Sequence, residues 1–230
     1  MRDEVVVLGD SVTHGAGFSG VTESTCYVSL LRNELADAGV SVRLRPSAID
    51  GVDTAYALKR FDRMVGRLQP DVLIVALGLN DAQPPGRRAE CNPECNPDCY
   101  ARNLAQLTER ALEIHARPII ATPSPRLDVR NSSQPPGKAM QPYAEKARMV
   151  AEHYNLPLIE VYEHFVARGD LNELIPDKLH PGPDGHRLIA EQFARTLLPL
   201  FNAGNLSKGR LVREAAQRTE TFRAEAQRTL

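Results

Sequence analysis

A chain of 230 residues with 28 Lys and Arg, 29 Asp and Glu and a net charge of −1 has no basic excess with which to bind nucleic acid or an anionic membrane surface. Its length suits one well-buried domain better than two. No apolar run approaches the ~20 residues of a membrane span, and the absence of Trp disfavours a groove built to stack sugars.

Met1 to Glu4 lead straight into Val5-Val6-Val7-Leu8. This N-terminus lacks the pattern of a signal peptide, so a cytoplasmic protein is expected; an exported protein with its signal removed would read the same way. An aliphatic run of this kind, ended by Gly9, predicts a strand covered on both faces. Asp10 and Ser11 then fall at its carboxyl end, where open α/β sheets keep their sites. After a Gly-rich stretch to about Ser24, Tyr27, Leu30, Leu31, Leu35 and Ala38 recur at helical spacing, and Gly39 is the expected stop. Val40, Val42 and Leu44 alternate with polar residues, which predicts a half-buried strand nearer a sheet edge.

Ser47 to Gly51 reads as a turn. One helix is expected to carry Ala55, Leu58, Phe61, Val65 and Leu68 on a single face, bounded by Pro70. Val72 to Leu77 is the strongest strand signal, and it breaks into Gly78-Leu79-Asn80-Asp81. After a Pro-rich loop, Asp98 is expected to cap a helix from Cys99 to about Ala116. Ile119 to Thr122 predicts a strand, Pro123 to Pro142 a long loop, Pro142 to Tyr154 a helix and Leu158 to Val161 a fifth strand. A polar, irregular stretch then leads to Pro176-Asp177-Lys178-Leu179-His180-Pro181. The last core helix starts near Pro183, with Leu188, Ile189, Phe193 and Leu197 inward.

Strand and helix thus alternate five times, which predicts a three-layer α/β/α sandwich on a five-stranded parallel sheet. The domain spans residues 1–204. Residues 205–230 form a charged extension in which Arg213 to Thr219 resembles Arg223 to Thr229. It reads either as a solvated helix or as a helix through which a homo-oligomer forms. Cys91, Cys95 and Cys99 stand four apart, but Pro93 and Pro97 prevent one helix from carrying them. Free thiols, a disulfide after export and a metal site all remain open, although three thiols without a clear fourth ligand are not a standard zinc set.

A serine hydroxyl becomes a nucleophile only when a base takes its proton, and that base must be held in one tautomer. For Ser11, His180 is the candidate base and Asp177, three residues earlier, its orienting carboxylate. The developing oxyanion needs donors. The backbone N–H groups of Ser11 and Gly51 and the side-chain amide of Asn80 all fall at strand ends. Asp10 and Asp81 adjoin the site as turn residues, His14 reads as pocket-mouth or solvated, and His186 as a first-turn helix residue. Arg126, Lys138 and Lys178 suggest an anionic substrate.

Gly9-Asp10-Ser11, Gly51, Gly78-Leu79-Asn80-Asp81 and Asp177-Lys178-Leu179-His180-Pro181 resemble, in order, the four sequence blocks of the SGNH hydrolases, also called GDSL esterases/lipases. The resemblance runs over roughly residues 4 to 200. It implies a flavodoxin-like fold, Ser11 as nucleophile, His180 as base, Asp177 as its orienter, an oxyanion hole of Ser11, Gly51 and Asn80, and no metal or organic cofactor. The expected function is a serine esterase acting on a small or medium acyl ester. Carbohydrate O-acetylesterase, thioesterase or lysophospholipase chemistry on the same site, and a non-catalytic binding protein on this fold, are the alternatives.

Overall fold

The computed structural model describes residues 3–82, 96–128 and 137–202. Its centre is one parallel sheet of five strands: β1 (Asp3–Gly9), β2 (Val42–Ala48), β3 (Val72–Ala76), β4 (Arg117–Ala121) and β5 (Leu158–Ile159), in the order β2-β1-β3-β4-β5. Val5 lies opposite Leu44 on one side and Val72 on the other. The register sets the carboxyl ends of β1, β2 and β3 side by side.

Alternation along the strands divides the core in two. Val6, Leu8, Leu73, Val75 and Ile120 face α3 (Thr54–Lys59), α4 (Phe61–Met64), α5 (Pro97–Glu113) and α6 (Gln141–Tyr154). Val5, Val7, Val72, Ile74 and Ile119 face α2 (Tyr27–Asp37), α7 (Val161–Arg168), α8 (Leu171–Leu174) and α9 (Pro183–Asn202). Val5 to Leu8 are all 0% exposed, and burying each such side chain contributes roughly 1.5–3 kcal/mol. This anchors the strand that ends at the site. The architecture is the expected three-layer sandwich.

Several local expectations are corrected. The helix expected across Ala55 to Leu68 is α3, α4 and a 3-10 turn at Gly66–Leu68, because Arg60 leaves helical geometry between the first two at φ −111°, ψ 15°. The edge strand expected at 40–44 runs instead over Val42–Ala48. β5 stops at Ile159. The Thr122 hydroxyl at the end of β4 accepts from the Val161 and Tyr162 N–H groups at 2.8 and 2.9 Å and starts α7 there. The stretch expected to be irregular before Pro176 therefore holds α7 and α8. Asn96, not Asp98, caps α5: its side chain accepts from Cys99 N at 2.9 Å and Pro97 occupies the first turn. Asp98 lies one residue inside and pairs with Lys146 at 2.7 Å. Cys91, Cys95 and the 205–230 extension lie outside the described residues, while Cys99 is buried in the first turn of α5.

Candidate active site

The site begins where β1 turns into α1 (Ser11–His14), a single helical turn. A Cβ at Gly9 would lie 1.9 Å from Thr13 Oγ1, so only glycine lets the turn fold back on the strand. Asp10 caps it by accepting from Val12 N at 2.9 Å. Ser11 is thereby fixed at the sheet's carboxyl edge, 5% exposed.

Its Oγ lies 3.0 Å from His180 Nε2. His180 Nδ1 in turn lies 2.8 Å from Asp177 Oδ2. The other oxygen of Asp177 accepts from the backbone N–H groups of Leu179 at 2.8 Å and His180 at 2.6 Å. Lys178, at φ +70°, bends the chain so that one carboxylate meets both amides and the ring. Partial burial pushes the Asp177 carboxyl up, but the two amides, the imidazole and the Ser19 hydroxyl outweigh it and hold the group below the usual carboxylate range. A carboxylate only accepts, so it fixes the proton on Nδ1 and leaves the Nε2 lone pair for the Ser11 hydroxyl.

The loop after α1 closes over this row. The Phe18 ring stacks on the His180 imidazole with centroids 4.3 Å apart. The Ser19 hydroxyl donates to the His180 carbonyl at 2.9 Å.

Asn80 follows β3. Its amide nitrogen donates to Asp10 Oδ2 at 3.1 Å and to the Val52 carbonyl at 2.9 Å. Gly51, at φ +72°, precedes Val52 in the same turn. Ser11, Asp177 and His180 thus stand in one hydrogen-bonded row, and Asn80 and the Gly51 turn meet beside Asp10. Asp81 accepts from Thr54 N at 3.2 Å and from the Thr54 hydroxyl, tying the Asn80 turn to α3. Asp10 is almost wholly buried, and burial first, then the Asp81 charge, pushes its carboxyl up from 3.8 to about 7. The bonds from Val12 N and Asn80 pull in the other direction. On the core side, a cavity of about 30 Å³ is lined in part by Asp10, Thr13, Leu79, Thr122 and Ser124. That is room for about one or two waters and not for an acyl chain.

The remaining polar candidates separate cleanly. His14 is exposed and pairs with Asp50 at 2.9 Å. His186 is buried and accepts from Tyr27 N at 3.0 Å. Arg126 does not face a substrate: it is 5% exposed, and its guanidinium forks onto Asp128 at 2.7 and 2.8 Å. Lys138 and Lys178 are exposed. Among the described residues, no group of three or more His, Cys, Asp or Glu side chains could hold a metal ion, and no helix is long and apolar enough to cross a membrane. Sequence reasoning missed the Asp10–Asn80 bond and the Phe18 stack. A single aromatic between Gly17 and Gly20 was the one available sign of the latter.

A five-stranded parallel sheet of this order with helices on both faces is the α/β/α fold of the SGNH hydrolase structures, and polar side chains gather at its carboxyl edge. The chain belongs to the GDSL-like lipase/acylhydrolase family, whose sequence profile matches residues 7–188, and it is an ester hydrolase. It is 24% identical over 200 residues to an arylesterase of Vibrio mimicus, covering 85% of this chain and 88% of that one. A shorter match, 31% over 77 residues, is to the esterase TesA of Pseudomonas aeruginosa, covering 34% of this chain and 37% of that one. Among solved structures, a lipase/acylhydrolase from Enterococcus faecalis superposes with a TM-score of 0.69 at 26% identity, covering 85% of this chain and 94% of that one. The acetylxylan esterase Axe2 from Geobacillus stearothermophilus shares the fold, with a TM-score of 0.69 at 21% identity over 85% of this chain and 94% of that one.

Proposed function

We propose that residues 1–204 form a serine esterase domain that hydrolyses a small or medium acyl ester through an acyl-Ser11 intermediate. The observation that carries this reading is the unbroken row Ser11 Oγ, His180 Nε2, His180 Nδ1 and Asp177 Oδ2, with separations of 3.0 and 2.8 Å. His180 takes the Ser11 proton as the oxygen attacks the ester carbonyl. The carbonyl π electrons move onto its oxygen, and Asp177 stabilises the imidazolium that forms. The Ser11 and Gly51 N–H groups and the Asn80 amide receive the oxyanion, Asn80 by exchanging one of its present acceptors for it. As the intermediate collapses, the C–O bond to the alcohol breaks and His180 returns the proton to the leaving oxygen. Water, deprotonated by the same imidazole, then attacks the acyl carbon; the bond to Ser11 Oγ breaks, the acid leaves, and His180 returns the proton to Ser11 Oγ.

Hydrolysis of p-nitrophenyl acetate tests the reading. Ser11→Ala should reduce nitrophenol release by roughly 10³-fold or more, as loss of a triad member does in serine hydrolases. Equal rates for wild type and variant would overturn it. A panel of acyl chain lengths and acetylated sugars assigns the substrate class.

A further inference from the structure

Arg126 is the group that the mechanism does not use and the fold has no simple reason to bury. A buried guanidinium loses its hydration and must be fully paired to persist. Here Nε and Nη2 fork onto the two oxygens of Asp128 at 2.7 and 2.8 Å, the bidentate geometry that arginine alone provides. Nη1 turns the other way and reaches the carbonyls of Leu79 at 3.3 Å and Ala82 at 3.5 Å. Those carbonyls bracket Asn80 and Asp81. The backbone of the same segment grips the opposite wall: Leu127 N and Asp128 N both donate to the Lys178 carbonyl, at 2.7 and 3.0 Å. Lys178 lies between Asp177 and His180 and is the residue at φ +70° on which their turn depends.

The segment after β4 therefore touches the turn that bears Asn80 with its side chain and the turn that bears the acid–base pair with its main chain. Resting on the reading of those residues given above, we infer that the Arg126–Asp128 pair is a positioning clamp that holds the Asn80 turn and the Asp177–His180 turn at a fixed separation. A buried ion pair gains little stability over well-packed apolar side chains. A displacement of about 1 Å between reacting groups, in contrast, costs on the order of 10²-fold in rate. The clamp's value is geometric. Arg126 touches no reacting atom and acts only through the two turns it joins.

The test uses the full chain with Arg126→Ala, Arg126→Lys and Asp128→Asn. Each folded variant should lose about 10- to 10²-fold in kcat for p-nitrophenyl acetate with KM within about twofold, because alignment and not substrate affinity is lost. Added guanidinium at non-denaturing concentration should restore part of kcat to Arg126→Ala by refilling the vacated slot, and should restore nothing to Arg126→Lys. Arg126→Ala with wild-type kcat, or a loss that guanidinium does not restore and that KM shares, overturns the clamp. If Arg126→Ala does not fold, the other two variants decide: reduced kcat at constant KM in both supports it, and wild-type kcat in both overturns it. The His180 Nδ1 proton, followed by NMR, reads the clamp without any substrate. Faster solvent exchange in Asp128→Asn supports it, and unchanged exchange counts against it. Wild type that fails to outpace Ser11→Ala sinks the esterase reading instead, and the NMR arm still judges the clamp.

Discussion

Two aspartates lie within a few side chains of Ser11, and their surroundings drive them apart. Asp177 is 40% exposed in its side chain and is surrounded by donors, so its carboxyl stays below the usual range. Asp10 is 2% exposed, has fewer donors and faces Asp81, and its carboxyl rises to about 7. The same functional group is held ionised on one side of the serine and titrates near neutral pH on the other. Donor count and burial set the difference, not residue type. On the proposed mechanism, an anion beside the imidazole favours the imidazolium. On the same reading, a full charge beside the Asn80 amide would oppose an oxyanion there, and a carboxyl whose burial raises its pKa carries less of that charge.

Asp177→Asn attacks the first half of this contrast and should have the largest effect. The amide can offer a donor to Nδ1, the wrong tautomer becomes available, and kcat should fall by roughly 10³–10⁴-fold; a fall below tenfold would remove Asp177 from the mechanism. Asn80→Ala attacks the other side and should lower kcat by roughly 10²–10³-fold with KM little changed, whereas a change confined to KM would deny the amide an oxyanion role.

Asp10→Asn sharpens the comparison through stability. Between 3.8, its ordinary value, and about 7 the folded chain keeps a proton on Asp10 that the unfolded chain has released. Stability therefore falls as pH rises through that window, by at most about 1.4 kcal/mol per pH unit. The variant should lose that fall, as read by denaturant titration from pH 4 to 8. A curve identical to wild type would mean that the carboxyl is not raised. His186 has the opposite sign. Burial, with the His180 charge as a smaller cause, lowers it from 6.5 to about 4, so the unfolded chain takes up the proton first and stability falls as pH drops from 6.5 towards 4. His186→Gln, which retains an acceptor for Tyr27 N, should flatten the acid side alone.

The sequence made the scaffold legible because β1 and β3, at the centre of the sheet, are runs of aliphatic residues closed by Gly9 and Gly78. Of the side chains proposed for the site, Ser11 and Asn80 were picked out as polar residues just after those runs, and Asp177 and His180 as an acid–base spacing on the turn before the last helix. Other features were hidden for definite reasons. Arg60 carries no Pro or Gly signal, so the break between α3 and α4 was invisible. α7 starts where it does because a hydroxyl 39 residues earlier, on Thr122, caps it. Asp10 and Asn80 are 70 residues apart, and the depth at which they meet is set by sheet register. Arg126 read as a charge for an anionic substrate, and the bidentate pair it makes with Asp128 beside the Asn80 turn could not be seen from local pattern. Local pattern reports what a residue prefers, while burial and long-range partners decide what a titratable group becomes.

The Ser11–His180 bond spans 169 residues of chain, and α9, which follows His180, is locked to α2 by a bond spanning 159. Contacts of such separation are costly to close and form late in folding. In chain order Ser11, the proposed nucleophile, precedes His180, its proposed base, by those 169 residues. A growing chain thus carries Ser11 well before the imidazole proposed to deprotonate it has been made. On the proposed mechanism activity is a readout of completed topology, so regain of ester hydrolysis on refolding should trail the recovery of helical signal.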